Sequence, residues 1–222
     1  MTKPFATAAF AAAALFVSSC AFAQTAAPAT PAQTYSYTVS GAGGVTFTKK
    51  TGGFISAEAG KQLWPGADIT VEGGWMSNVV NSQTLDAAGA IADYLTQTQG
   101  QPSSATVKVP AGYGAANFRY AFYMTERYNV YAIGGAGFAV TSPNPSFTIG
   151  GNNVGSSVGQ YGVTLGKDLA GSSTGFLLNL GVGVTIPYGV WLGDVGYRFS
   201  PIFANGTNTP VSRLTFGLGR RF

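Results

Sequence analysis

From Tyr35 onward the sequence alternates. Odd positions read Tyr35, Tyr37, Val39, Gly41, Gly43, Val45 and Phe47; even positions read Ser36, Thr38, Ser40, Ala42, Gly44, Thr46 and Thr48. A helix returns to one face every three to four residues and cannot make this pattern, whereas a strand has a period of two. The pattern returns near the C-terminus. Phe176, Leu178, Leu180, Val182 and Val184 alternate with Leu177, Asn179, Gly181, Gly183 and Thr185. Trp191, Gly193, Val195, Tyr197 and Phe199 alternate with Leu192, Asp194, Gly196, Arg198 and Ser200. Leu214, Phe216, Leu218 and Phe222 alternate with Arg213, Thr215, Gly217, Gly219 and Arg221. One face is apolar and aromatic each time, and the other mixes glycine with single charges.

Period two fits a soluble sandwich as well as a membrane barrel, so composition has to decide. Only 9% of the 222 residues are charged, against about 25% in a soluble domain. So few charges cannot cover a water-facing surface. The apolar faces are therefore expected to point to lipid and the glycine-and-charge faces inward, as in a membrane barrel strand. No stretch after the N-terminal segment is continuously apolar enough for a transmembrane helix.

Eight strands are expected, at roughly 35–48, 53–63, 68–78, 112–124, 129–141, 175–185, 191–199 and 212–222. The connections alternate in length, except that the first, around Lys49 to Gly52, is short on the long-loop side. Tight turns fall at Trp64 to Ala67, Thr125 to Tyr128 and Ile186 to Val190, and longer segments at 79–111, 142–174 and 200–211. Short periplasmic turns alternating with long extracellular loops characterise outer-membrane barrels. The fold class is accordingly all-β, an eight-stranded antiparallel up-and-down transmembrane β-barrel with both termini in the periplasm. Aromatics gather at its two rims, as interfacial girdles do. Trp64, Tyr123, Tyr128, Tyr131, Tyr188, Trp191 and Phe222 belong to the periplasmic ring, and Trp75, Tyr113, Phe138, Phe176 and Phe199 to the outer one.

Residues 1–23 read as a secretory signal peptide. Lys3 gives the positive start, Phe5 to Val17 the apolar run, and Ala21-Phe22-Ala23 the small-x-small cut before Gln24. A competing motif, Val17-Ser18-Ser19-Cys20, matches the lipobox of bacterial lipoproteins and makes Cys20 the lipidation candidate. Residues 24–34 are an Ala/Pro/Thr spacer, expected to be a flexible periplasmic tail, and 35–222 form the barrel.

The last residues, Leu214-Thr215-Phe216-Gly217-Leu218-Gly219-Arg220-Arg221-Phe222, resemble the C-terminal strand of outer-membrane β-barrels with its terminal phenylalanine. Asn129 to Phe138 and Trp191 to Phe199 resemble the penultimate-hairpin region of the opacity-protein and OmpA-like families. The likeness runs from about Tyr35 to the end and is stronger in the second half. It implies that the barrel-assembly machinery reads the last strand, with Phe222, Leu218, Phe216 and Leu214 as its signal. Arg220 departs from the pattern, where the family carries an aromatic or aliphatic residue; at a membrane edge arginine can snorkel to the headgroups. Such a family implies fold, location and assembly route better than function, since its members include adhesins, anchors, small pores and orphans.

The chain has no histidine and a single cysteine, Cys20. That removes Ser-His-Asp and Cys-His catalysis and His/Cys metal sites, and with them the histidine-dependent barrel enzymes. No cofactor is expected. The basic residues are scattered, which argues against a nucleic-acid partner. Glu58, Glu72 and Asp194 share the inward phase with Arg119, Arg198 and Arg213. A barrel of this size is only wide enough to be filled by side chains, and buried charges there must be paired. An ion-paired plug is the expectation.

Leu85, Ala88, Ala92 and Leu95 share a helical face, so segment 79–111 is either a short helix over the barrel mouth or a disordered loop. Segments 142–174 and 200–211 are rich in Ser, Asn, Gly, Thr and Pro and fit mobile surface loops. The expected function is a monomeric, non-enzymatic surface barrel. Its partners would be outer-membrane lipid, lipopolysaccharide, the assembly machinery and an unidentified extracellular ligand. A narrow pore, and a soluble or lipid-anchored periplasmic β-barrel binding protein, are the alternatives.

Overall fold

In the computed structural model the described residues are 36–204 and 206–222. The expected signal peptide, Cys20 and the spacer lie outside them. Eight long strands make the wall: β1 (Tyr37–Phe47), β2 (Thr51–Trp64), β3 (Ala67–Met76), β5 (Ala111–Met124), β6 (Asn129–Thr141), β9 (Ser173–Tyr188), β10 (Trp191–Phe199) and β13 (Ser212–Arg221). Each pairs antiparallel with the next. β13 also pairs with β1 and closes the sheet, leaving no wall edge.

The registers fix the barrel's shape. A walk from Phe176 on β9 passes through Phe138, Gly114, Gly73, Ala57, Gly41, Leu218 and Gly193 and returns to β9 at Ile186. That is a stagger of 10 residues over eight strands (186 minus 176). With standard strand spacing and rise, the strands tilt by about 40° around a backbone cylinder of about 8 Å radius. Ten tilted residues span about 25 Å along the axis, the height of an outer-membrane apolar band.

Short turns close one end, the end at which Tyr37 and Phe222 lie. Pro65-Gly66 joins β2 to β3, and Gly66, at φ 86°, occupies the position a type II turn reserves for glycine. The turn between β9 and β10 is tighter than expected. β9 runs through Tyr188, so Ile186 and Pro187 are strand residues and only Gly189 and Val190 turn. Pro187 is tolerated there because β6 has already ended opposite Thr185.

The opposite end differs more from expectation. Residues 82–99 form an 18-residue helix, α1 (Ser82–Gln99), capped by Asn81, whose side chain accepts from the Thr84 N–H at 2.8 Å. Its buried face is Thr84, Ala88, Ala92 and Leu95, with Leu85 only partly covered. The connections expected to be mobile loops carry strands of their own. β4 (Ser103–Lys108), β7 (Asn144–Ile149) and β8 (Asn152–Gly155) build a three-stranded sheet across two connections. Leu95 packs on it with Phe147, Ile149 and Val158. β11 (Ile202–Ala204) and β12 (Thr207–Thr209) pair as a hairpin, with β11 continuing along the wall beside β9. The outer connections thus form a cap with its own apolar core. Composition concealed it because its strands need apolar residues on one face only: Phe147 and Ile149 alternate with Ser146 and Thr148.

Candidate functional site in the barrel lumen

The sequence phases are followed on both wall faces. Val39, Ile55, Val71, Phe138, Leu180, Val182 and Leu218 are exposed around the outside. Trp64, Tyr123, Tyr128, Tyr188, Trp191 and Phe222 are exposed at the rim with the short turns, and Phe47, Trp75, Phe138 and Phe176 near the opposite one. Two aromatics expected in these girdles are elsewhere: Tyr113 and Tyr131 are buried in the lumen. Their strand phase, shared with Arg119 and Ile133, pointed inward, whereas position near a strand end misled. A closed wall that is apolar outside and charged inside inverts a soluble fold. The chain has the fold of the eight-stranded outer-membrane barrels.

Solved structures of similar fold include Neisserial surface protein A (16% identity, 84% of this chain, 96% of that chain, TM-score 0.48). Others are the N-terminal β-barrel of Pseudomonas aeruginosa OprF (12%, 86% and 100%, TM-score 0.46) and Ail, the attachment invasion locus protein of Yersinia pestis (13%, 84% and 97%, TM-score 0.44). No family model and no curated protein matches the sequence.

Inside the outer-membrane barrel, near mid-height, like charges stand side by side. Glu58 is in register with Glu72 across β2–β3, and Arg198 with Arg213 across β10–β13. Like charges directly opposite destabilise a sheet; here the two pairs face each other across the lumen. Arg198 donates to both carboxylates, at 2.5 Å to Glu72 Oε2 and 3.1 Å to Glu58 Oε2. Arg213 reaches Glu72 Oε1 at 3.0 Å, and Arg119 reaches Glu58 Oε1 at 2.5 Å. Glu72 also accepts from the Tyr113 hydroxyl at 2.6 Å and from Asn179 Nδ2 at 3.1 Å. Arg213, fully buried, lies over the rings of Phe54 and Tyr113 and donates to Tyr113, Asn179 and Ser200.

Five of the six expected lumen charges therefore meet. Asp194 does not join them. Its carboxylate accepts from Tyr131 Oη at 3.0 Å and from Thr185 Oγ1 at 3.2 Å, and among the described residues no arginine forms an ion pair with it. Arg119 lies over the Tyr131 ring, 4.5 Å from its centroid, and Asp194 lines the same small cavity as Glu58, Arg119 and Arg198. The neutral residues Tyr113, Asn117, Asn179, Ser200 and Tyr131 were missed by counting charges alone. Glycines make room for the rings: a Cβ at Gly183 would lie 2.5 Å from the Tyr131 hydroxyl, and one at Gly74 2.8 Å from the Tyr113 ring.

Below the network, toward the end closed by short turns, a cavity of about 30 Å³ is lined by Thr38, Ser40, Ser56, Thr185 and Asp194, room for about one or two waters. Above it, apolar side chains pack across the lumen. Met76 and Leu177 of the wall pack with Val79, Val80, Leu169 and Val211 from the connections, all buried. The expected assembly residues Leu214, Phe216 and Leu218 face outward on β13, and Phe222 is exposed beyond it with Arg220 over its ring at 5.1 Å.

Proposed function

We propose that this protein is a non-enzymatic surface barrel whose lumen is a structural plug and whose ordered cap is its interacting part. The observation that carries this reading is that two different layers close the lumen, one ionic and one apolar, while the cap has a core of its own. Termini in the periplasm and the cap outside follow from the parity of turn lengths. A conducting pore would need a polar path through Met76, Leu177 and the four cap side chains above them.

Planar-bilayer recording tests this reading. The wild type is expected to show no steady conductance, and Arg198→Ala to admit brief openings as water enters around the unpaired carboxylates. A large, steady wild-type conductance, unchanged by Arg198→Ala, would favour the narrow pore. Assembly is proposed to depend on the exposed aromatic end of β13. Deleting Phe222 should therefore lower outer-membrane insertion in cells more than any shortening of 142–172 does.

A further inference from the structure

The hairpin β11–β12 has two unlike faces. Ile202 points inward and is buried against Leu177. Phe203, the next residue, points outward and is 41% exposed. It stands in register with Phe176, their ring centroids 6.4 Å apart, and Phe176 meets Phe138 at 6.3 Å. Phe138 and Phe176 are exposed residues of the outer girdle. The three rings form one continuous apolar ladder from the membrane belt onto the hairpin.

Height supports the same placement. In a wall tilted by about 40°, neighbours in register differ by about 3 Å along the barrel axis. The walk from Phe176 through β6 descends toward Ile186, so the opposite step, onto β11, climbs. Phe203 is therefore about 3 Å above Phe176, within the headgroup layer of several ångströms where aromatic rings concentrate. Asn208, paired with Phe203 across the hairpin, is exposed on the same face one strand higher. A phenylalanine topped by an amide matches the change from acyl chain to headgroup.

We propose that the β11–β12 hairpin is a lipid-binding element seated on the outer leaflet with Phe203 as its anchor, and not part of the surface offered to extracellular partners. This rests on the reading of the barrel as membrane-spanning, and the test separates the two. With Cys20 replaced by serine, single cysteines at Phe203, Phe176 and Ser104 are labelled with an environment-sensitive fluorophore. Each protein is then reconstituted in phosphatidylcholine vesicles carrying nitroxide lipids. Phe176 reports the belt, and Ser104, exposed on the cap sheet, reports water. The label at position 203 is expected to be quenched severalfold more than that at 104, most strongly by a shallow nitroxide. Quenching at 203 no greater than at 104, with 176 quenched, overturns the proposal alone. Absence of quenching at 176 overturns the membrane reading with it. Should Phe203→Cys fail to fold, a label at Asn208 serves, with shallow quenching expected and a water-like signal overturning the proposal.

Discussion

At the level of Glu72 the barrel is filled by charge, and a layer higher, around Met76 and Leu177, by hydrocarbon. The charged layer is built almost wholly from wall strands: Glu58, Glu72, Arg119, Arg198 and Arg213 all lie on them. The apolar layer takes Val79, Val80, Leu169 and Val211 from the connections, so it exists only when the cap is folded. The two layers thus respond to different injuries. Removing one partner from the ionic layer leaves another charge buried in a low dielectric, and removing a side chain from the apolar layer leaves a void and loosens the cap.

The largest expected effect is at Glu72. Glu72→Ala removes the acceptor shared by Arg198, Arg213, Tyr113 and Asn179, and should cost ~3–5 kcal/mol in urea unfolding of the detergent-folded protein. A loss below about 1 kcal/mol would mean that water solvates the lumen freely, and the contrast between layers would collapse. Next comes Leu177→Ala, at ~2–4 kcal/mol, because a fully buried leucine leaves a cavity. It should also speed proteolysis within 142–172, whereas Glu72→Gln, which keeps the side chain's shape, should not. Equal cleavage of the two variants would show that cap and wall are coupled as one unit.

Asn81→Ala sharpens the comparison from the cap side. Losing the helix cap should cost about 1 kcal/mol, read as faster cleavage of the outer connections with the barrel's unfolding midpoint unmoved. A shifted midpoint would place α1 within the cooperative unit of the wall. Smallest is Asp194→Asn, below about 1 kcal/mol, since the amide oxygen still accepts from Tyr131. A loss as large as that of Glu72→Ala would make Asp194 a full member of the ionic layer although it forms none of the four ion pairs among the described residues.

How much was legible varies by residue. The strand from Trp191 to Phe199 was readable to its ends because it alternates cleanly, and that from Asn129 to Thr141 because turn residues bound it on both sides. The inward phase of Arg198 and Glu72 was readable for the same reason. The pairing of 103–108 with 144–149 was not, since both segments are short, polar on one face and far apart in the chain. Asp194 was placed on the inward face, but which of the inward charges meet directly was not readable.

By itself, then, the sequence determined the wall: a period of two settles which face each side chain takes, and the scarcity of charge settles that the apolar face meets lipid. Height is a different quantity. It depends on the 10-residue stagger, a sum over eight registers that no single strand encodes. Only the closed barrel decides that Glu58 and Glu72 face Arg198 and Arg213 while Asp194 sits with Tyr131. The cap belongs with height, because Phe147 and Leu95 acquire an apolar surface to pack on only once the strands beneath have brought their connections together.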